Sequence, residues 1–299
     1  MIDAAVGTQR AAANRSGVVR TLVASLRVKQ WTKNLLLFAG LLFAAKLGDP
    51  GRWVDAWLAF AVYCAASSAA YLVNDVRDAG LDRLHPTKRL RPVADGRLTP
   101  RAALSLSAAL AVGALSGAVV LGAAAVILVA GFIALQLLYS FGFKLVVGLD
   151  VLAIAALFTI RAAAGAEAVR VRVSPWLLVC TALLALFLAL AKRRGELDRS
   201  RECRRRVLAR YSLGVLDRLL VVVAAGTIAT YSAYAVTARH SLEMATTIPF
   251  VAAAVGRYFV LIHRDGLGEQ PEEILVTDLP ILLAIGSWAV AAALVLTLT

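Results

Sequence analysis

The chain has 299 residues, 60% of them hydrophobic and only 17% charged, with a mean hydropathy of +0.76. Soluble chains sit nearer half apolar and a quarter charged, so a soluble fold is excluded. The net charge of +13 does not signal nucleic acid either, because the basic residues fall in short polar segments between long apolar runs rather than on one soluble face.

The N-terminus, Met1 to Ser16, is polar and lacks the apolar core of a cleaved signal peptide. Val18, Val19, Leu22, Val23 and Leu26 then recur at helical spacing among Arg20, Arg27 and Lys29, the pattern of a helix lying in the membrane interface. Residues 1–32 are therefore read as a cytoplasmic N-terminus with an interfacial helix, and 33–299 as a transmembrane domain. Nine apolar segments follow, at roughly 33–48, 53–73, 101–121, 123–141, 147–167, 174–191, 213–238, 246–263 and 278–298, each judged against the ~20 residues a spanning helix needs. The first is short, as a re-entrant or tilted helix would be. Thr99-Pro100 and Ser174-Pro175 each supply an N-cap followed by proline at the first helical position. Gly113 and Gly117 form a GxxxG, which allows close helix packing. Cys64, Cys180 and Cys203 make no disulfide framework and read as free thiols. His85, His240 and His263 have no zinc-ligand spacing.

With the N-terminus inside, twenty-five of the 32 Lys and Arg fall on the inner side and five outside, with Arg161 and Arg218 within spans. That bias predicts a cytoplasmic N-terminus and a cytoplasmic face for the long basic loops.

The chemistry concentrates at the inner end of the second span, in Asn74-Asp75-Val76-Arg77-Asp78-Ala79-Gly80-Leu81-Asp82. On a continuing helix, Asp75, Asp78 and Asp82 lie within an arc of about 60°. Carboxylates that close repel one another unless a cation sits among them. Oxygen-only ligands suit Mg²⁺, which substrate phosphates complete. The bland alternative is a solvated acidic face balanced by Arg77 and Arg83; three carboxylates together at a membrane boundary favour the metal. Prolines bound the next stretch, His85 to Pro92, and fix a loop. It brings Lys88, Arg89 and Arg91 near the carboxylates, where they suit phosphate oxygens or lipid headgroups. Lys144 is the one cation of its short loop and is assigned to substrate phosphate, with Tyr139 beside it. Asp150 has three open roles: metal ligand, sugar-hydroxyl acceptor or partner of Lys144. Arg161, about 16 Å deeper at 1.5 Å per residue, faces the protein interior or a wet cavity. Catalysis and a purely structural role fit it equally.

Asn-Asp-x-x-Asp-x-x-x-Asp after a second span resembles the UbiA superfamily of intramembrane prenyltransferases. Lys29 to Asn34, Tyr71 to Pro92, Tyr139 to Lys144, Ile160-Arg161-Ala162, Lys192 to Leu197, Arg257-Tyr258 and Asp265 to Ile274 are similar to one branch, the decaprenyl-phosphate phosphoribosyltransferases. The resemblance implies an all-α polytopic bundle of nine transmembrane helices with a cytoplasm-facing active-site cavity. It also raises Lys33, otherwise an interfacial anchor beside Trp31, to a site residue. Typical superfamily members carry a second aspartate-rich motif after the sixth span; here that position reads Lys192-Arg193-Arg194-Gly195-Glu196-Leu197-Asp198. A basic site binds a phosphate monoester directly. The expected site is thus Asp75, Asp78 and Asp82 on Mg²⁺, with Asn74 orienting ligands. Lys33, Lys88, Arg89, Tyr139, Lys144, Asp150, Arg161, Lys192, Arg193 and Glu196 are expected to hold substrates.

The implied reaction moves 5-phosphoribosyl from phosphoribosyl diphosphate to decaprenyl or another polyprenyl phosphate, for cell-wall arabinan precursors. The resemblance further implies a homo-oligomer, possibly a trimer, in the cell membrane. The alternatives are a prenyltransferase acting on an aromatic acceptor and, from another class, a lipid transporter. The polar loop at 265–273 is expected either to lid the cavity or to connect spans.

Overall fold

The computed structural model describes residues 17, 19–43, 48–199, 210–237, 242–264 and 271–298. The loop at 265–270, the basic run at 200–209 with Cys203, His240 and Lys46 lie outside the described residues. Every regular element among the described residues is helical: a segment at 19–26, η1 (Val28–Phe38), α1 (Ala39–Phe43), α2 (Pro50–Asp82), η2 (Lys88–Leu90), α3 (Pro100–Leu121), α4 (Ala123–Phe141), η3 (Phe143–Leu145), α5 (Leu149–Ala168), α6 (Pro175–Arg199), α7 (Leu213–Thr237), η4 (Leu242–Thr247), α8 (Ile248–Arg264), α9 (Pro271–Thr277) and α10 (Leu279–Leu298).

Eight of the helical stretches are long and apolar enough to cross a bilayer. They coincide with the last eight segments expected from the sequence, and the chain is a multi-pass membrane protein. Their outer faces are apolar, as lipid contact requires: Val112, Val119, Val120, Ile127 and Leu283 are all exposed. Thr99 caps α3 through its hydroxyl, which accepts from the Ala102 amide, and Asp49 caps α2 by accepting from the Gly51 and Arg52 amides. Pro100 and Pro50 follow at the first turns. Gly117 carries the close contact expected of the GxxxG, against Val62 of α2, while Gly113 faces open space.

The first expected segment differs in kind. Its eleven-residue η1 is a 3₁₀-helix, followed by only five α-helical residues. At about 2.0 Å per residue the 3₁₀ run extends about 22 Å, so sixteen residues reach nearly as far as a full α-helical span. Side chains at i and i+3 eclipse in this geometry. Trp31, Asn34, Leu37 and Gly40 therefore form one straight row. Trp31 Nε1 donates to Ser68 of α2, Asn34 and Leu37 are fully buried, and Gly40 meets Gly165 of α5 backbone to backbone. A Cβ on Gly165 would stand 2.2 Å from the Leu37 carbonyl oxygen, and one on Gly40 2.6 Å from the Gly165 oxygen.

Two apolar cores share α5. One gathers Leu37, Tyr63, Ala118, Val129, Phe132 and Ala164 from η1 and α2–α5. The other gathers Val151, Phe187, Leu216, Tyr258 and Ile281 from α5–α8 and α10. This division leaves the ends of α2 and α6, and the η3 loop, to meet at one end of the bundle.

Candidate active site

The 33 residues of α2 exceed what a bilayer needs, so its last turns stand clear of the apolar run and carry the acidic stripe as expected. Each carboxylate has a cationic partner from a different part of the chain. Asp75 and Asp82 are buried, 3% and 4% exposed. Arg27 pairs with both oxygens of Asp75. Arg91 reaches back from the Pro86–Pro92 loop, its Nη1 2.6 Å from Asp82 Oδ2 and 3.3 Å from Asp75 Oδ1. Lys144, buried on η3, donates to both oxygens of Asp78 (2.7 and 2.8 Å) and to Asn74 Oδ1 (3.1 Å). Burial, with the Arg27 charge close by, pulls the Arg91 guanidinium below its ordinary value. Arg27 holds a left-handed backbone, φ 52° and ψ 49°, and its guanidinium lies over the Tyr71 ring, 5.1 Å from the centroid. A non-glycine residue in that region is strained, and such strain concentrates at functional sites.

The carboxylates do not close on one point. Among the described residues, no group of three His, Cys, Asp or Glu side chains is placed to hold a metal ion. The donor set nevertheless suits Mg²⁺: three carboxylates and an amide oxygen on the end of one helix, all hard oxygen ligands. Three acids face three cations, Arg27, Arg91 and Lys144. The cluster is balanced as it stands, so a divalent cation fits when an anion draws those cations away.

A second cluster joins the ends of α5 and α6. Asp150 is fully buried and accepts from Arg193 Nε (2.6 Å) and the Tyr211 hydroxyl (2.5 Å). Arg193, 1% exposed, also pairs with Glu196 and donates to the Tyr139 hydroxyl at 3.2 Å. The Gly148 amide donates to Tyr211 Oη (3.0 Å), which ties the η3 loop bearing Lys144 to this network. Burial and the bond to Asp150 push the Tyr211 hydroxyl up to about 12. Of the three roles open to Asp150, the structure shows its carboxylate on Arg193 and Tyr211, while Lys144 reaches Asp78 and Asn74. Arg193 is spent on protein partners and does not present a bare guanidinium to a phosphate. Burying an arginine so deeply is costly without such pairing.

The remaining expected residues spread more widely. Lys33 Nζ donates to Gln30 Oε1 at 2.5 Å, Lys88 and Lys192 are half-buried, and Arg89 is exposed. Arg161 lies in the membrane interior, bonded to Asn34 and the Leu157 carbonyl. Arg27 and Tyr211 join the clusters without being marked by any motif in the sequence. Arg27 stands 48 positions from its partner, and nothing local to it marks the pairing.

A largely apolar chamber of ≈ 810 Å³ runs along η1, α1, α6–α8 and α10, reaching Arg172, Ser174 and Trp176 where α5 connects to α6. Phe38, Phe43, Trp53, Trp176, Tyr231 and Trp288 are among its walls. Such a volume suits a lipid chain.

The chain resembles known proteins along most of its length. A decaprenyl-phosphate phosphoribosyltransferase of Mycolicibacterium smegmatis is 34% identical over 290 residues, covering 91% of each chain. The enzyme of that name from Corynebacterium glutamicum is 32% identical over 271 residues, 86% of this chain and 81% of the relative. Among solved structures, a UbiA homolog from Archaeoglobus fulgidus bound to DMAPP and Mg²⁺ superposes with a TM-score of 0.73 at 18% identity, covering 93% of this chain and 99% of that one. Since the sequence model of the UbiA prenyltransferase family matches residues 35–272, the chain belongs to that family of membrane transferases.

Proposed function

We propose that the protein transfers 5-phosphoribosyl from phosphoribosyl diphosphate to a polyprenyl phosphate, releasing pyrophosphate. The observation that carries this reading is the asymmetry between the two helix ends. One holds a carboxylate triad with its own cations. At the other, the acids Asp150 and Glu196 pair with Arg193, which leaves no second cluster of free carboxylates there among the described residues. A single metal–diphosphate unit with a monophosphate acceptor matches that arrangement better than a donor bound between two acidic motifs. The relatives named decaprenyl-phosphate phosphoribosyltransferase support the same donor and acceptor, and the apolar chamber supports a long lipid tail.

Asp75, Asp78 and Asp82 would hold Mg²⁺, which when bound neutralises the leaving diphosphate. Arg27, Arg91 and Lys144, released from their carboxylates, then share the charge that builds on the leaving group. Asn74 keeps Lys144 aimed at that position. Attack by a phosphate oxygen on the anomeric carbon passes through an oxocarbenium-like state. That oxygen is ionised near neutral pH, so no general base is needed. Tyr139, Asp150, Arg193 and Glu196 act through placement, fixing the loop that carries Lys144, while Lys33, Lys88, Arg89 and Lys192 supply positive potential around the phosphates. The basic-residue bias puts this end on the cytoplasmic side of the cell membrane. The assembly is read as a homo-oligomer, and the product as feeding arabinan precursor synthesis.

The test is transfer of label from phosphoribosyl diphosphate to polyprenyl phosphate by purified protein, with Mg²⁺ and with chelator. Labelled lipid should form only with metal, and Asp78→Ala should abolish it while leaving the protein folded. No product from intact protein, or normal turnover by Asp78→Ala, overturns the assignment.

A further inference from the structure

The polar face of α2 continues inward past the carboxylates. Tyr63, Ser67, Tyr71 and Asp75 follow one another at intervals of four and so share one helix face. Ser67 and Tyr63 are 1% and 2% exposed, and neither hydroxyl has a partner. Arg161 of α5, also 2% exposed, faces this stretch. Its guanidinium faces are covered by Phe132 and Phe158, at 4.6 and 5.2 Å to the ring centroids. Tyr63 packs on the same Phe132 ring, with centroids 5.0 Å apart. Arg161 Nε donates to Asn34 Oδ1 (2.8 Å) and Nη1 to the Leu157 carbonyl (3.2 Å); Nη2 has no partner among the described residues. Its hydrogen bonds go to a side-chain amide and a backbone carbonyl, and none goes to a carboxylate among the described residues.

A cation in the membrane interior without a counter-charge is expensive. A residue serving only to brace Asn34 needs no charge. Two buried hydroxyls without partners, beside a guanidinium bonded only through Nε and Nη1 among the described residues, are an incomplete hydrogen-bond set that an anionic oxygen would complete. Ser67 lies eight residues, about 12 Å, along the helix from Asp75. That offset separates two phosphate groups on one extended substrate, or on two substrates meeting end to end. Building on the transferase reading, we propose that Arg161, Tyr63 and Ser67 form a subsite for a phosphate monoester, apart from the metal–diphosphate end. The monoester is either the 5-phosphate of the sugar donor or the phosphate of the lipid acceptor.

Tyr63→Phe and Ser67→Ala remove only unpartnered hydroxyls and should melt with the wild type. Each should raise the KM of one substrate about tenfold, the worth of one charge-assisted bond, and leave the other KM unchanged. A rise for phosphoribosyl diphosphate assigns the sugar phosphate; a rise for polyprenyl phosphate assigns the lipid. Unchanged KM for both overturns the proposal. A binding arm stands apart from turnover: ribose 5-phosphate or a short-chain polyprenyl phosphate should raise the melting temperature of the wild type and raise it less in Tyr63→Phe. If the wild type transfers no phosphoribosyl, the reaction assigned above fails, while this arm still decides the subsite. Equal stabilisation of wild type and variant by both probes refutes it. Arg161→Met should lose the same stabilisation, and if it does not fold, the two hydroxyl variants decide alone.

Discussion

Substituting Gly165 by alanine tests how the 3₁₀ segment η1 is seated. The new Cβ would lie 2.2 Å from the Leu37 oxygen and 2.8 Å from its carbon atoms, all of them backbone, so no side chain can swing away. Restoring ordinary contact moves η1 outward by about 1 Å. Overpacking of this kind costs about 1–3 kcal/mol. A shift of that size also stretches the 2.8 Å bond from Arg161 to Asn34, and losing a hydrogen bond to a charged group costs about 1.5–3 kcal/mol. The sum, about 2.5–6 kcal/mol, should appear as a clear drop in thermal midpoint in detergent. Activity should fall further, because η1 begins next to Arg27, and a displacement of about 1 Å at a catalytic group costs on the order of 100-fold. Gly131→Ala in α4, where a Cβ meets nothing within 4 Å, is the matched control. If Gly165→Ala melts with the wild type and transfers label at the normal rate, the seating argument is wrong.

Three further outcomes follow from the ion clusters. Because Asp75, Asp78 and Asp82 are already balanced by Arg27, Arg91 and Lys144, Mg²⁺ should bind the bare protein weakly and at least about tenfold more tightly with pyrophosphate present, a coupling of about 1.4 kcal/mol; equal affinities by calorimetry would sink the idea. Asp150→Asn removes one carboxylate from buried Arg193 while Glu196 stays, so the lower end of the range for a broken buried pair applies, about 3 kcal/mol, and an unchanged unfolding midpoint would refute it. Hydrogen bonds from Arg257 hold the Asp278 carboxylate below its ordinary 3.8; with the folded value below the unfolded one, the contact stabilises above that pH and fades as pH falls through the folded value. The gap in melting temperature between wild type and Arg257→Gln should therefore narrow on acidification, and a gap constant with pH would contradict the assignment.

Much of the bundle was legible because membrane spans declare themselves through length and hydropathy, and caps such as Thr99-Pro100 are local. The acidic stripe was legible for the same reason: residues 75, 78 and 82 share a face of one helix. Lys144 could be singled out because it stands alone in its loop, but its contact with Asp78 could not. Partner choice across the chain was not legible. Arg27 comes to Asp75 only because its backbone turns left-handed, which no arginine advertises. The sequence around Lys192 to Leu197 showed a basic helix end, but not that Asp150 and Tyr211 would enclose Arg193 within it. The 3₁₀ form of the first apolar segment was hidden as well. Its threefold row, Trp31-Asn34-Leu37-Gly40, mixes an aromatic, an amide, an aliphatic and a glycine, so hydropathy alone does not mark it.

That first 3₁₀ segment behaves as a strut pinned at both ends. One pin is the Arg27–Asp75 ion pair, the other the contact of Gly40 and Leu37 with Gly165. Wound as an α-helix, the same eleven residues would be about 5 Å shorter, and one pin would have to let go. The spacing between bilayer midplane and ion cluster is thereby written into the pitch of a single segment. Any change in the pitch of that segment would therefore pull on Arg27 and, through it, on Asp75.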